Sequence, residues 1–122
     1  MDDSVTTVAE LKQIVKEFSD ARDWDGFHGA KDLTIGIVTE ASELLQDFRF
    51  KSDDEVEEMF KDPIRAEMIG DEIADTLYFI LRLAQKYDLD LSQELQRKMK
   101  KNAINYPVEK SRGSNKKYSE LR

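Results

Sequence analysis

An all-α fold, an antiparallel four-helix-bundle-type subunit with a short extra helix and an extended C-terminal tail, is predicted by three features of the chain. Apolar residues recur at three- and four-residue intervals through four separate segments, the period of a helix buried along one side. Helix-start signals stand directly before several of those segments. No stretch alternates apolar and polar residues as a half-buried strand would, and no glycine-rich phosphate loop or internal repeat occurs.

Thr7-Val8-Ala9-Glu10 has the spacing of a capping box, in which hydroxyl and carboxylate satisfy each other's backbone amides at a helix start. Val8, Leu11, Ile14, Val15 and Phe18 follow as one face. The period is lost from Asp23 to Gly29, where two glycines fall close together, so the helix stops near Asp23. A second helix spans about Asp32 to Phe48, with Leu33, Ile37, Val38, Ala41, Leu44, Leu45 and Phe48 as its stripe. Ser52-Asp53-Asp54-Glu55 repeats the capping-box spacing and opens a brief, mobile helix with Val56, Met59 and Phe60 on one face.

Asp62-Pro63 starts a long helix, because proline is tolerated at the first helical position, where its missing N–H has no partner to lose. Ile64, Met68, Ile69, Ile73, Leu77, Ile80, Leu81 and Ala84 run along it, with Ala74 and Tyr78 on a second side, so burial on more than one face is expected. After Asp88 to Ser92, a last helix bearing Leu91, Leu95 and Met99 continues to about Asn105, before Pro107. Val108 to Arg122 has no period and reads as the extended tail.

The 122 residues, 39% apolar and 37% charged with few glycines and prolines, suit one globular domain over 1–122, residues 1–5 and 119–122 being flexible ends. Cysteine is absent, which excludes a disulfide framework, a thiolate metal site and a cysteine nucleophile. No apolar run approaches the roughly 20 residues of a membrane span, and Met1-Asp2-Asp3 lacks the basic-then-apolar order of a secretory signal. A cytoplasmic location without membrane attachment is the expectation.

Charge is unevenly divided. Residues 1–95 hold 10 Lys/Arg against 24 Asp/Glu, whereas residues 96–122 hold 9 against 2. The acidic body argues against a nucleic-acid polymer as partner, while the basic end suits a small polyanion. A nucleoside triphosphate with a divalent cation would match both signs. Apolar faces on nearly every helix of so short a chain further suggest that a second copy covers part of them, most simply by two-fold pairing.

Two acidic pairs carry the chemistry. Glu40 and Glu43 are three apart on the second helix, and Glu72 and Asp75 are three apart on the long one, so each pair projects from one face of its helix. Ile37, Ala41 and Leu44 flank Glu40, and Met68, Ile69 and Ile73 flank Glu72, so neither lies on an all-polar face. Burying such carboxylates unpaired is costly, and a shared cation relieves it. Oxygen ligands without cysteine and with a single histidine are the donor set of a hard ion, Mg²⁺ or Mn²⁺ rather than zinc or copper. A di-iron bundle would need Glu-x-x-His, which these glutamates do not begin. The plainer alternative for either pair alone is a solvated helix face.

The order Arg22-Asp23-Trp24, Phe27-His28, Glu40-Ala41-Ser42-Glu43-Leu44, Asp71-Glu72-Ile73-Ala74-Asp75, Asn102, Tyr106-Pro107 and Ser111-Arg112-Gly113-Ser114 with Lys117-Tyr118 resembles the MazG-like all-α nucleoside triphosphate pyrophosphatases, most nearly their dCTP pyrophosphatase branch. The resemblance runs from about residue 8 to residue 121. It implies Mg²⁺-dependent hydrolysis of a nucleoside triphosphate to monophosphate and pyrophosphate by a homo-oligomer, a dimer or tetramer. By position, Glu40, Glu43, Glu72 and Asp75 match the metal-binding carboxylates. Lys98, Asn102, Tyr106, Arg112, Ser114 and Lys117 match the stretch near the triphosphate, and Trp24, Phe50 and Phe79 the base pocket. Phe50 stands where a tryptophan is usual, and Phe79 where a tyrosine is common, which removes a hydroxyl.

The mechanism that follows needs no nucleophilic side chain, with Glu43 as the base that takes the proton of the attacking water. Plainer roles exist for neighbours of the site. Trp24 would also serve as a core residue closing the first helix, and His28 reads as a hydrogen-bonding residue joining loop to helix rather than a ligand. The rival reading of the whole chain is a non-catalytic helical interaction module whose carboxylates form inter-helix salt bridges to residues such as Arg65 and Arg82.

Overall fold

The structure, a computed structural model, describes residues 1–121. Among them all regular elements are helical, and they fall into two compact units, Met1–Asp88 and Leu89–Arg122. The first unit holds α1 (Val8–Ala21), a 3-10 turn (Asp25–Phe27), α2 (Ala30–Phe48), α3 (Asp53–Met59) and α4 (Pro63–Lys86). The second holds α5 (Leu91–Asn105), α6 (Val108–Ser111) and a 3-10 turn (Tyr118–Glu120). No helix among the described residues is long and apolar enough to cross a membrane.

Both capping boxes form. The Thr7 hydroxyl accepts from Glu10 N at 3.1 Å while Glu10 Oε1 accepts from Thr7 N at 3.4 Å. Ser52 and Glu55 repeat the exchange at 3.2 and 3.3 Å. Asp62 caps α4 by accepting from Ile64 N at 3.0 Å, with Pro63 in the first turn where its ring costs no hydrogen bond. α2 starts two residues earlier than its apolar stripe suggests, because the extended backbone of Gly29 lets its carbonyl accept from Leu33 N at 2.9 Å.

α4 is the central element of the first unit, packed along α2 and crossed by α1. The buried apolar residues are Val15 from α1, Leu33 from α2, Met59 from α3, and Ile69, Leu81 and Ala84 from α4. α3, read from its sequence as mobile, is pinned by buried Met59 and by the Phe60 ring 5.9 Å from that of Phe48. Ile64, Met68, Ile73 and Leu77 on α4 remain exposed, since α1 and α2 cover only part of that helix. α2 and α4 approach so closely at Gly36 that a Cβ there would lie 2.6 Å from the Phe79 ring.

Other sequence expectations require correction. The turn Asp25–Phe27 organises what reads as an aperiodic loop, with Phe27 N donating to Trp24 O at 2.9 Å. The stretch after Pro107 is not wholly extended. The Pro107 carbonyl accepts from Lys110 N and Ser111 N, each at 3.0 Å, and starts the single turn of α6, which is too short to show a helical period. Gly113 then reverses the chain at φ +72°, a left-handed conformation that glycine adopts without strain. Of the stretch 119–122 expected to be flexible, Ser119 and Glu120 lie in the final 3-10 turn and Arg122 lies outside the described residues.

Candidate functional site

The seam between α2 and α4 brings the acidic pairs face to face. Glu40, Glu43 and Glu72 each offer a carboxylate oxygen, and the three oxygens lie within 4.8 Å of one another. Glu43 is exposed, while Glu40 and Glu72 are half-buried. Burial pushes the Glu40 carboxyl up to about 7, with further upward pressure from its hydrogen bond to Glu43 and from the charges of Glu43, Asp75 and Glu72. Glu72 is also raised, first by burial and then by Glu43, Asp47 and Asp75. Asp75 is not in the tight triad, yet its charge acts on both half-buried glutamates.

Glu40 Oε2 and Glu72 Oε2 are buried without a hydrogen-bond partner. Converging oxygens, mutual repulsion and orphaned acceptors are what a cation would resolve, so these residues suit a divalent metal, and an all-oxygen set suits a hard one. Asp47, which the sequence reading passed over, adds its charge to Glu72 and buries Oδ2 unpartnered. Its signal was its place one helical turn beyond Glu43 on α2.

The inter-helix salt bridges of the rival reading find their arginines engaged elsewhere. Arg82 Nη2 meets Asp25 Oδ1 at 2.9 Å, and Arg65 Nε lies 3.7 Å from Asp62 Oδ2 on its own helix.

Beside the triad opens a groove of about 560 Å³, lined by Glu40 and Asp75 together with Phe18, Trp24, Leu77, Tyr78 and Phe79. The rings meet edge to face, Phe18 with Trp24 at 5.6 Å and Tyr78 with Phe79 at 5.3 Å between centroids. Ser19 Oγ donates to Val15 O at 2.7 Å, so the Tyr78 hydroxyl, 2.5 Å away, donates to Ser19. Trp24 and Phe79 therefore stand together next to the acidic pairs. Phe50 does not join them. α2 ends at Phe48, and Phe50 sits in the following turn at φ +65°, 91% exposed, with the Arg49 guanidinium 4.4 Å from its ring centroid.

The basic candidates belong to the second unit. Lys98 and Asn102 lie one turn apart on α5, and Tyr106 follows that helix with its ring 6.1 Å from Tyr118. Arg112 caps α6, and Ser114 Oγ accepts from Lys116 N at 3.3 Å. Lys98, Arg112, Ser114 and Lys117 are all exposed.

A family model described as the MazG-like family matches residues 35–121, a span that contains all four acidic residues and all the basic candidates. The chain belongs to the MazG-like family. This MazG-like chain is 35% identical over 115 residues to dCTP pyrophosphatase 1 of Mus musculus, covering 94% of its own length and 68% of the relative's. Against dCTP pyrophosphatase 1 of Bos taurus the identity is 34% over 118 residues, covering 97% and 70%. The crystal structure of a pyrophosphatase from Archaeoglobus fulgidus superposes with a TM-score of 0.77 at 33% identity, covering 88% of the MazG-like chain and 98% of the neighbour. The all-α class read from the sequence is borne out by this neighbour and by the absence of strands among the described residues.

Proposed function

We propose that this MazG-like chain is a nucleoside triphosphate pyrophosphohydrolase, converting a (d)NTP and water to the monophosphate and pyrophosphate with Mg²⁺, or Mn²⁺ in its place. The observation that carries the reading is the triad of carboxylate oxygens within 4.8 Å, two residues of which keep buried orphan oxygens, at the edge of an aromatic groove. The dCTP pyrophosphatases among its relatives favour a dCTP-like or modified deoxynucleotide, and thereby a house-cleaning role in the cytoplasm.

Glu40, Glu43, Glu72 and Asp75 would hold the cation, which supplies polarisation of phosphorus and acidification of bound water. Glu43, the exposed member of the triad, accepts the proton of the attacking water as its oxygen bonds to the α-phosphorus and the bond to the bridging α–β oxygen breaks. Trp24 and Phe79 flank the base. Lys98, Arg112 and Lys117 would neutralise the phosphates and Asn102, Tyr106 and Ser114 would position them, a contribution of electrostatics and placement rather than covalent chemistry. Exposed Val38, Leu45, Ile64 and Phe50 favour a homo-oligomer, dimer or tetramer, in which a second copy covers them.

Pyrophosphate release from a panel of canonical and modified dNTPs with Mg²⁺ is the test. Glu40→Gln and Asp75→Asn are expected to abolish it while the proteins stay folded. Unchanged turnover in both variants rules the reading out.

A further inference from the structure

Arg82 is the largest fully buried side chain of the described residues, 2% exposed on a helix whose neighbouring buried residues, Leu81 and Ala84, are apolar. A charge so placed is retained only if its donors are used. They are used on the segment that carries Trp24. Arg82 Nε donates to His28 Nδ1 at 3.0 Å, Nη2 donates to Asp25 Oδ1 at 2.9 Å, and Nη1 donates to Gln85 Oε1 on its own helix. Lys86 Nζ adds a bond to Asp25 O at 2.8 Å, and the Tyr87 hydroxyl accepts from Ala30 N at 3.0 Å. The short turn after Trp24 is thus fastened to the end of α4 from Asp25 to Ala30.

Trp24 heads that turn. Its N–H donates to Ser19 O at 3.1 Å and its carbonyl accepts from Phe27 N, while its ring stands edge-on to His28 at 6.0 Å. Trp24 also lines the groove that Glu40 and Asp75 border. We propose that Arg82 is a positioning residue for nucleotide binding, its bonds to His28 and Asp25 holding Trp24 as a fixed wall of the groove. The inference rests on the reading that this groove receives the base.

The chemistry of the bond adds a condition. A guanidinium only donates, so His28 Nδ1 must present its lone pair and the ring proton must sit on Nε2. Protonating His28 would remove the acceptor and set a second cation against Arg82. The groups facing His28 are Arg82, Lys86 and Tyr78 from α4, Asp25 and Trp24 from the turn segment, and Asp32 from α2. Burial and the two cations lower its pKa from 6.5, against the opposing pull of Asp25 and Asp32, so the bond persists at neutral pH and fails on acidification.

Trp24 is the only tryptophan of the chain, so its fluorescence reports this wall alone. In the full-length protein, Arg82→Met and His28→Ala are expected to increase acrylamide quenching of Trp24 about twofold and to raise the dNTP KM about tenfold with kcat within about twofold. His28→Gln, whose side-chain oxygen accepts from Arg82 but does not titrate as an imidazole does, is expected to restore both and to abolish the rise in quenching expected of the wild type on acidification. Should Arg82→Met not fold, the His28→Ala and His28→Gln pair decides. Quenching or KM unmoved in folded His28→Ala, or a kcat loss that His28→Gln does not rescue, overturns the proposal. A wild type inactive on every dNTP removes the hydrolase reading and the nucleotide-binding role together, and is distinguished by the quenching series from failure of Arg82 and His28 to hold Trp24.

Discussion

Binding of a divalent cation should release a proton from Glu40, and the pH dependence of that binding follows from the geometry of the triad. Burial and three neighbouring acids hold the Glu40 carboxyl at about 7 in the metal-free protein, yet coordination requires the carboxylate. For one linked proton the apparent Kd is weakened about 11-fold at pH 6 and about twofold at pH 7, and is nearly unaffected at pH 8. Calorimetric titration with Mg²⁺ or Mn²⁺ in buffers of different ionisation enthalpy should also find about half a proton released at pH 7. Glu40→Gln should bind more weakly and without this slope. A wild-type Kd that stays flat between pH 6 and 8 refutes the assignment of Glu40 as a shared, proton-competing ligand.

Stability obeys the same linkage. The folded-state pKa of Glu40 is raised above its ordinary 4.5, so its contribution is fully present below about 4.5 and is lost as pH rises through about 7. Metal-free protein should therefore lose thermal stability across that window. Saturating cation, at about 100 times Kd, should add about 2.7 kcal/mol at neutral pH.

Two further substitutions probe the groove. Gly36→Ala would set a Cβ 2.6 Å from the Phe79 ring; overpacking of about 1–3 kcal/mol should outweigh the roughly 1 kcal/mol gained in helix propensity, lowering Tm and raising the dNTP KM, and a raised Tm would show that Phe79 can move aside at little cost. Tyr78→Phe removes the donor to Ser19 but leaves the Ser19 bond to Val15 intact, so urea unfolding should show a loss of only about 0.5–1.5 kcal/mol, a larger loss meaning that the hydroxyl has a second partner.

What the sequence made legible is local. Helical spacing put Glu40 beside Glu43 and Glu72 beside Asp75, and the apolar stripes turned both pairs toward the α2–α4 seam, so the metal candidates needed only that two helices meet. Asp47 was hidden because an acid next to Phe48 near a helix end looks like any solvated carboxylate until Glu72 is seen across from it. Arg82 was legible only as a possible salt-bridge partner for the carboxylates, because its actual partners, 54 and 57 positions earlier, lie beyond any periodicity. The MazG-like resemblance gave Phe50 a role by position, whereas its surroundings depend on a left-handed turn that no spacing rule encodes. α6 escaped notice because four residues complete scarcely more than one helical turn.

The bare backbone of Gly36 lies one turn before Glu40 on α2, and the ring it accommodates lies one turn after Asp75 on α4. Any spreading of these helices would deepen the recess and pull Glu40 from Glu72 in the same movement. On the proposed reading of this site, cation affinity and the size of base admitted would be tied variables, and a variant selected for bulkier nucleotides by loosening this crossing should demand more metal to work.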